Sequence, residues 1–393
     1  MRIRRQSTMA AAVAVVAWLV ARHLIPTHAG DAVESRHVAR LIGAGLIPYR
    51  DFDVHLPPLA TAVSWLIASI PGPAGTVDTV ATAIALGVGA AATWAVAHHL
   101  TLSHWRRVLA LALVTSVPLI LSSSDAVAGG VLLTAVLACS LLAALQGRFI
   151  WMWGSLAVAA GIGVAPLLVF PVAAVWHGAR TDRAHAIRAL VVALGAVVAT
   201  FVPFIVVAPA GMWHLAQVQL TRPLPVESIG AELIRVAHLP FRPVVRTGGA
   251  GMEGTIPTLI GVASTGALLL AILAIVALTV RMRPSDHGMV GAVGATLLAI
   301  AVFGAVVTAG NALWLIPAAA LIPGRLGAVC AIAVAVAMPV ARVMPTDVME
   351  QSASHPALAF GGRTIALLLA MAAAAAVVLT KAPSRSAKPP YRA

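Results

Sequence analysis

Between Arg363 and Lys381 the chain carries no charge, and residues 364–379 are almost wholly alanine, leucine and valine. No water-soluble surface can be built on such a run. Its unbroken apolarity also excludes the alternating in-and-out pattern of a barrel strand. Comparable runs recur along the sequence. Only 10% of the 393 residues are charged and 60% are apolar, where soluble domains carry about 25% charged residues. Lipid tolerates only backbones whose polar groups are satisfied internally, which leaves helices here. The expected fold class is all-α: a polytopic bundle in which residues 1–380 form a single transmembrane domain.

The formal charge is +13. On a soluble protein this would raise the question of nucleic acid, but the cations sit at the ends of apolar segments and form no basic run interleaved with aromatics. An inward positive bias and anionic headgroups account for them, so the expected partners are membrane lipids and not nucleic acid. Cys139 and Cys330 lie inside apolar segments and read as packing residues.

Hydropathy divides the chain into about twelve spans at 8–25, 58–72, 78–99, 107–123, 126–145, 151–176, 187–208, 256–280, 288–309, 311–324, 325–344 and 363–380. The short ones, 58–72 and 311–324, allow a tilted, broken or re-entrant path. Arg2, Arg4 and Arg5 keep the N-terminus inside. With an even count, Arg180, Arg183, Arg188, Arg281, Arg283 and the basic tail 381–393 also fall inside. That tail is Pro/Ser-rich and reads as disordered. The count leaves Trp105-Arg106-Arg107 and Arg148 on the wrong side. The expected location is a plasma membrane, with both termini cytoplasmic.

The same topology sorts the acids. Asp31, Glu34, Asp51 and Asp53 fall in an outer loop 26–57, Glu227, Glu232 and Glu253 in a second, 209–255, and Asp347 and Glu350 in a third, 345–362. Loops of this length in a compact protein usually carry function. In the first loop Asp31 and Glu34 suit the opening of a short surface helix. Its Arg36, His37 and Arg40 share one face, Val38, Leu41 and Ile42 share the other, and Gly43 and Gly45 end it. On spacing alone Asp31 is an N-cap, and Asp51 and Asp53 belong to a solvated turn with Arg50 as partner.

The segment PYRDFDVHLPPLA (48–60) resembles the P-Y-R-D-F-x-x-E-Y-P-P-L signature of bacterial polyprenyl-phosphate-sugar-dependent glycosyltransferases of the GT-C fold, a group that includes actinobacterial phosphatidylinositol-mannoside mannosyltransferases. QLTRPLPVESIGAEL (219–233), GIGVAPLLVFP (161–171) and NALWLIPAAAL (311–321) resemble three further stretches of the same group, and all four occur in its order. The likeness covers roughly residues 1–325. It departs at three places: His55-Leu56 replaces Glu-Tyr, Gly163 replaces Lys, and Ala309-Gly310-Asn311 stands for Ser-Pro-Gln.

The resemblance implies an inverting transfer of a sugar, with mannose the first expectation, from a polyprenyl-phosphate donor to a cell-envelope lipid or glycan on the extracytoplasmic face. Such a transfer needs a general base on the acceptor hydroxyl. Asp31 holds the family's position for it, with Asp51 and Asp53 in reserve; a carboxylate partly desolvated at the membrane surface gains basicity. Charge growing on the leaving phosphate calls for a preorganised cation, for which Arg222 is the first candidate and Arg50 and His55 the second. Glu227 and Ser228 would orient Arg222 or hold acceptor, although Ser228 also suits a helix start. Asn311 and Trp314 complete the substrate-binding candidates, although a Trp at the outer end of a span is most often an interfacial anchor. No cofactor is expected. An Asp51-x-Asp53 pair is a weak metal site, and no metal is predicted. A transporter or flippase of lipid-linked substrates, or a non-catalytic relative, is the competing expectation.

Overall fold

A computed structural model describes residues 2–24, 32–54, 56–70, 74–120, 126–225, 228–246, 249–283, 285–304, 312–342 and 354–379. The chain begins with α1 (Arg2–Leu24) and the short α2 (Ala32–Gly43). It continues through α3 (Pro58–Ala68), α4 (Ala74–His99), α5 (His104–Ile120), α6 (Ala126–Leu145) and α7 (Phe149–Ile162). A 3₁₀ turn, Ala165–Val169, joins α7 to α8 (Phe170–Arg180), and α9 (Arg183–Val207) and α10 (Pro209–Leu220) follow. A mixed segment comes next, made of β1 (Leu224–Pro225), α11 (Ile229–Val236), β2 (Arg242–Arg246) and β3 (Gly249–Glu253). The chain closes with α12 (Thr255–Met282), α13 (Asp286–Phe303), α14 (Ala312–Leu321), α15 (Gly324–Arg342) and α16 (Ser354–Leu379). Among the described residues four helices are long and apolar enough to cross a membrane: Thr76–His99, Arg183–Val207, Thr255–Met282 and Asp286–Phe303. The protein is a membrane-embedded helical bundle.

Tight turns set the up-and-down order. α4 ends with the Leu102 N–H donating to the Ala97 carbonyl (3.0 Å) and the Thr101 N–H to that of His98 (2.9 Å), with Thr101 at φ 52°. α6 ends the same way, Arg148 on Ala143 and Gly147 on Ala144, with Gly147 at φ 70°. Both are left-handed caps that satisfy the last carbonyls and reverse the chain within a few residues. The Asp182 carboxylate opens α9 by accepting from the His185 N–H at 2.8 Å. These junctions gather at one end of the bundle, where Arg180 pairs with Asp286 at the start of α13. Arg107, Arg148, Arg183, Arg281 and Arg325 lie there too, and it is called the arginine-rich end below. The opposite end carries the long loops.

The stretch read as one span at 151–176 is not one continuous helix. A straight helix of that length would separate its ends by about 38 Å. Instead the rings of Phe149 and His177 stack with centroids 4.2 Å apart, and the Trp153 Nε1–H donates to His177 Nδ1 at 3.1 Å. α7 and α8 form an antiparallel hairpin with both feet at the arginine-rich end. Pro166 and Pro171, which cannot continue a helical ladder, stand at its tip. The hairpin packs against α6, α9, α12 and α13. α3 is also short: its eleven residues reach about 16 Å, half of a hydrocarbon core.

The loop expected at 209–255 is largely structured. β3 lies between β1 and β2, antiparallel to both, with Leu224 opposite Met252 and Val244 opposite Gly251. Leu224, Ala231, Ile234 and Met252 form a small core beneath the sheet and α11. The bundle is thus all-α, but its cap is not. Period-two patterning over strands of two and five residues is too short to have announced the sheet. α2 matches its expected reading: Val38 is buried, His37 and Arg40 are exposed, and Gly45 at φ 85° closes it with Leu46 bonded back to Leu41. The terminal segment 381–393 lies outside the described residues.

Candidate functional site

The loop end is organised around Tyr49, one of only two tyrosines in the chain. Pro48 fixes the approach, and the next residue turns back at φ 67°, with the Tyr49 N–H donating to the Phe52 carbonyl at 3.0 Å. This left-handed conformation costs a non-glycine residue of the order of 1 kcal/mol, and the side chain's contacts offset it. Tyr49 is 4% exposed, and its hydroxyl donates to the Leu56 carbonyl (2.7 Å) and shares a 2.9 Å bond with Thr61 Oγ1 on α3. Its ring meets Phe204 of α9 edge-on at 5.3 Å. On α10, Gly211 lies so close that a Cβ there would stand 1.6 Å from the Tyr49 carbonyl oxygen. Burial pushes the Tyr49 phenol up to about 12, partly countered by the Thr61 bond. Tyr49, Val54, Ala208, Met212 and Leu215 form a core of their own. The first loop is thereby fastened to α3, α9 and α10.

Arg50 and Asp51 project from this turn. The guanidinium forks onto the carboxylate, Nε to Oδ1 at 2.9 Å and Nη2 to Oδ2 at 3.0 Å, while the Ile47 N–H donates to Oδ2 at 2.8 Å. The Arg50 fork, then the Ile47 bond, hold the Asp51 carboxyl below its ordinary value. This reverses the expectation of a desolvated, more basic Asp51. A carboxylate engaged by three donors is a weaker base, and here it ties the turn. Asp53 is exposed and has no hydrogen-bond or ion-pair partner among the described residues.

α10 links this turn to the second predicted cluster. From Gly211, beside Tyr49, to Arg222, just past Leu220, is roughly 16 Å along a helix axis. Arg222 is half-buried in the turn between α10 and β1. Arg50 and Arg222 therefore stand near opposite ends of α10, and the Arg50 guanidinium is already engaged by Asp51. Ser228 is 5% exposed, and its Oγ accepts the Ala231 N–H at 3.1 Å, the N-cap of α11. Its hydroxyl serves the helix start. Asp31, His55, Glu227 and Asn311 lie outside the described residues, as does the side chain of Trp314, whose backbone belongs to α14.

The residues missed from sequence are Tyr49, Thr61, Phe204 and Gly211. A tyrosine after proline in a chain almost without tyrosine was the available signal for the first. Nothing local marks the other three. Within the bundle, Ser140, Met152, Trp176, Val290 and Leu321 help line a cavity of about 50 Å³, well below the roughly 150 Å³ that admits a benzene ring. No group of three or more potential metal ligands occurs among the described residues. In comparisons with known proteins, no family model matches the chain and no curated protein gives a significant match.

Proposed function

We propose that the chain is an inverting membrane glycosyltransferase. It moves a sugar, with mannose the first expectation, from a polyprenyl phosphate to an envelope lipid or glycan acceptor on the extracytoplasmic face. One observation carries the reading: two of the stretches that resemble the GT-C group, 48–60 and 219–233, lie at the same end of the bundle, linked by α10, whose Gly211 abuts Tyr49. Asp31 acts as general base on the acceptor hydroxyl, with Asp53 as the reserve. Arg222 stabilises the departing phosphate, and Arg50 is left to hold the turn.

The topology that goes with this reading has ten crossings: α1, α4, α5, α6, α9, α12, α13, the span read at 311–324 of which α14 is the described part, α15 and α16. α3 and the α7–α8 hairpin do not cross. Removing two spans keeps the count even, so both termini stay cytoplasmic. It also moves Trp105-Arg106-Arg107 and Arg148 inside, which removes the two violations of the positive-inside rule. The loops with Asp31, Asp53 and Arg222 remain outside.

The alternative, a non-catalytic relative or a carrier of lipid-linked substrates, draws on the Arg50–Asp51 fork, which makes a structural tie of a candidate carboxylate. Purified protein supplied with radiolabelled polyprenyl-phosphate sugars and envelope acceptors separates the two. Transfer that Asp31→Asn abolishes supports the enzyme. No transfer from any donor, with Asp31→Asn cells growing as wild type, overturns it. Cytoplasmic labelling of a cysteine at position 53 would overturn the topology.

A further inference from the structure

Three polar side chains line the cavity inside the bundle: Thr134 and Ser140 of α6, and Trp176 of α8. All three are buried, Trp176 to 2% exposure. The two hydroxyl protons are committed. Ser140 Oγ donates to the Met152 carbonyl at 3.0 Å, and Thr134 Oγ1 to that of Gly130 at 2.8 Å. Each oxygen keeps lone pairs that can still accept. The Trp176 Nε1–H, by contrast, has no acceptor among the described residues. An indole nitrogen can only donate, and a buried donor left unmade carries its full desolvation penalty.

The cavity is long, not round. Ser140 stands five residues from the end of α6 and Trp176 four from the end of α8, both within about 8 Å of the arginine-rich end. Thr134 stands eleven residues from Leu145, and Leu297, on the α13 wall, eleven from Asp286. Both therefore lie about 16 Å in, near the middle of a hydrocarbon core of about 30 Å. A volume of about 50 Å³ holds roughly three to four waters at about 10–15 Å³ each. Hydrogen-bonded waters stand about 2.8 Å apart, so three of them bridge the roughly 9 Å of helix axis between Ser140 and Thr134.

We propose that the cavity is a hydration site, a short file of water that starts on the Trp176 Nε1–H, passes Ser140 and ends on Thr134 near mid-membrane. The inference does not depend on the glycosyltransferase reading. The polar groups of the lining select water among small ligands. One free donor and two oxygens whose protons are spent share the lining, so the ligand must accept at one end and donate at the other. An anion would find one donor and no cation among the lining residues, a cation would find no carboxylate, and an apolar atom would leave the Nε1–H unmet. Water both accepts and donates, and buried waters typically make about three such bonds. α8 does not pack closely on α6, so the file joins them, and the hairpin is held to α6 through water as well as through α7.

The test is X-ray radiolysis footprinting of the full chain in phosphatidylglycerol vesicles, with water itself as the probe. Hydroxyl radicals formed from bound water oxidise the side chain they touch. Met152 lines the cavity and Met289 does not, yet both are 2% exposed. Trp176 and Trp18 make a second pair, at 2% and 3%. The hydration site requires Met152 and Trp176 to oxidise several-fold faster than Met289 and Trp18, undiminished by a scavenger confined to the bulk. Ala138 also lines the cavity, and Ala138→Leu should displace the water and bring Met152 down to the Met289 rate. The wild-type comparison stands by itself should that variant fail to fold. Equal rates within either pair overturn the proposal, as does xenon binding in the cavity, the mark of a dry apolar void. A Met152 that stays fast in folded Ala138→Leu overturns it too.

Discussion

The two ends of the bundle each contain one glycine without which the backbone could not close, and they anchor that closure differently. At the loop end a Cβ on Gly211 would stand 1.6 Å from the Tyr49 carbonyl; at the arginine-rich end one on Gly327 would stand 1.6 Å from that of Ile322. The first junction is held by a neutral tyrosine, 4% exposed, with two hydroxyl hydrogen bonds and an aromatic neighbour. The second is held by a charged Arg106, also 4% exposed, whose Nη2 donates to the carbonyls of Ala320 (3.1 Å) and Ile322 (2.7 Å). Those carbonyls close α14, so the cation meets the negative end of a helix dipole. Its Nε and Nη1 are buried and unpartnered among the described residues. The difference teaches where each device suits. The loop turn is pinned by neutral groups. A short helix ending inside the bundle needs a donor strong enough for two orphan carbonyls, even though burying that charge is unfavourable.

The largest effect is expected from the glycines. Gly211→Val and Gly327→Val each force a backbone shift, with overpacking of about 3 kcal/mol or more. Thermal unfolding in detergent should show both variants falling by a similar margin. If Gly211→Val behaved as wild type, the close approach of α10 to Tyr49 would be refuted.

Arg106→Leu comes next. It strands two carbonyls but relieves a buried charge, for a net loss of about 1–3 kcal/mol. Arg106→Lys should recover only part of this, because an ammonium lacks the planar reach. A Lys variant as stable as wild type would make the interaction one of charge alone.

Tyr49→Phe keeps the ring and loses the hydroxyl, for about 1–2 kcal/mol. It also supplies a pH test. A phenol whose folded value is raised contributes stability that is complete below its ordinary 10.0 and disappears as pH climbs to about 12. In a Tyr391→Phe background, phenolate absorbance should appear together with loss of fold across that window. Ionisation near 10.0 in the folded protein would deny the burial. The smallest change belongs to Asp51→Asn, an exposed pair whose loss should leave the unfolding midpoint within error while raising protease cleavage at the 46–53 turn. A large fall in the midpoint would promote that pair from a local tie to a core interaction.

Much of the bundle was legible from sequence because hydropathy and helix-ending residues are local. The span read at 126–145 is α6 to the residue, and the surface helix ends at the glycines that mark it. The candidate site was legible in kind more than in arrangement. Arg50 and Arg222 do belong to the same end, but their separation along α10 could not be read from a segment taken for a loop. The Arg50–Asp51 tie was readable as a turn, since the two residues are adjacent. Tyr49 was overlooked because its partners lie 12, 155 and 162 positions away, on α3, α9 and α10.

Sequence by itself determined that this chain is helical and membrane-embedded, since transfer of apolar residues to lipid and the need to satisfy each peptide group depend on composition and local order. It did not decide which apolar runs continue as single helices. A hydropathy window measures length, and residues 149–180 are long enough to span; stacking of Phe149 on His177 and the bond from Trp153 fold them back instead. Only tertiary structure makes that choice, because the contacts that hold the hairpin join residues 28 and 24 positions apart, beyond the reach of a local reading.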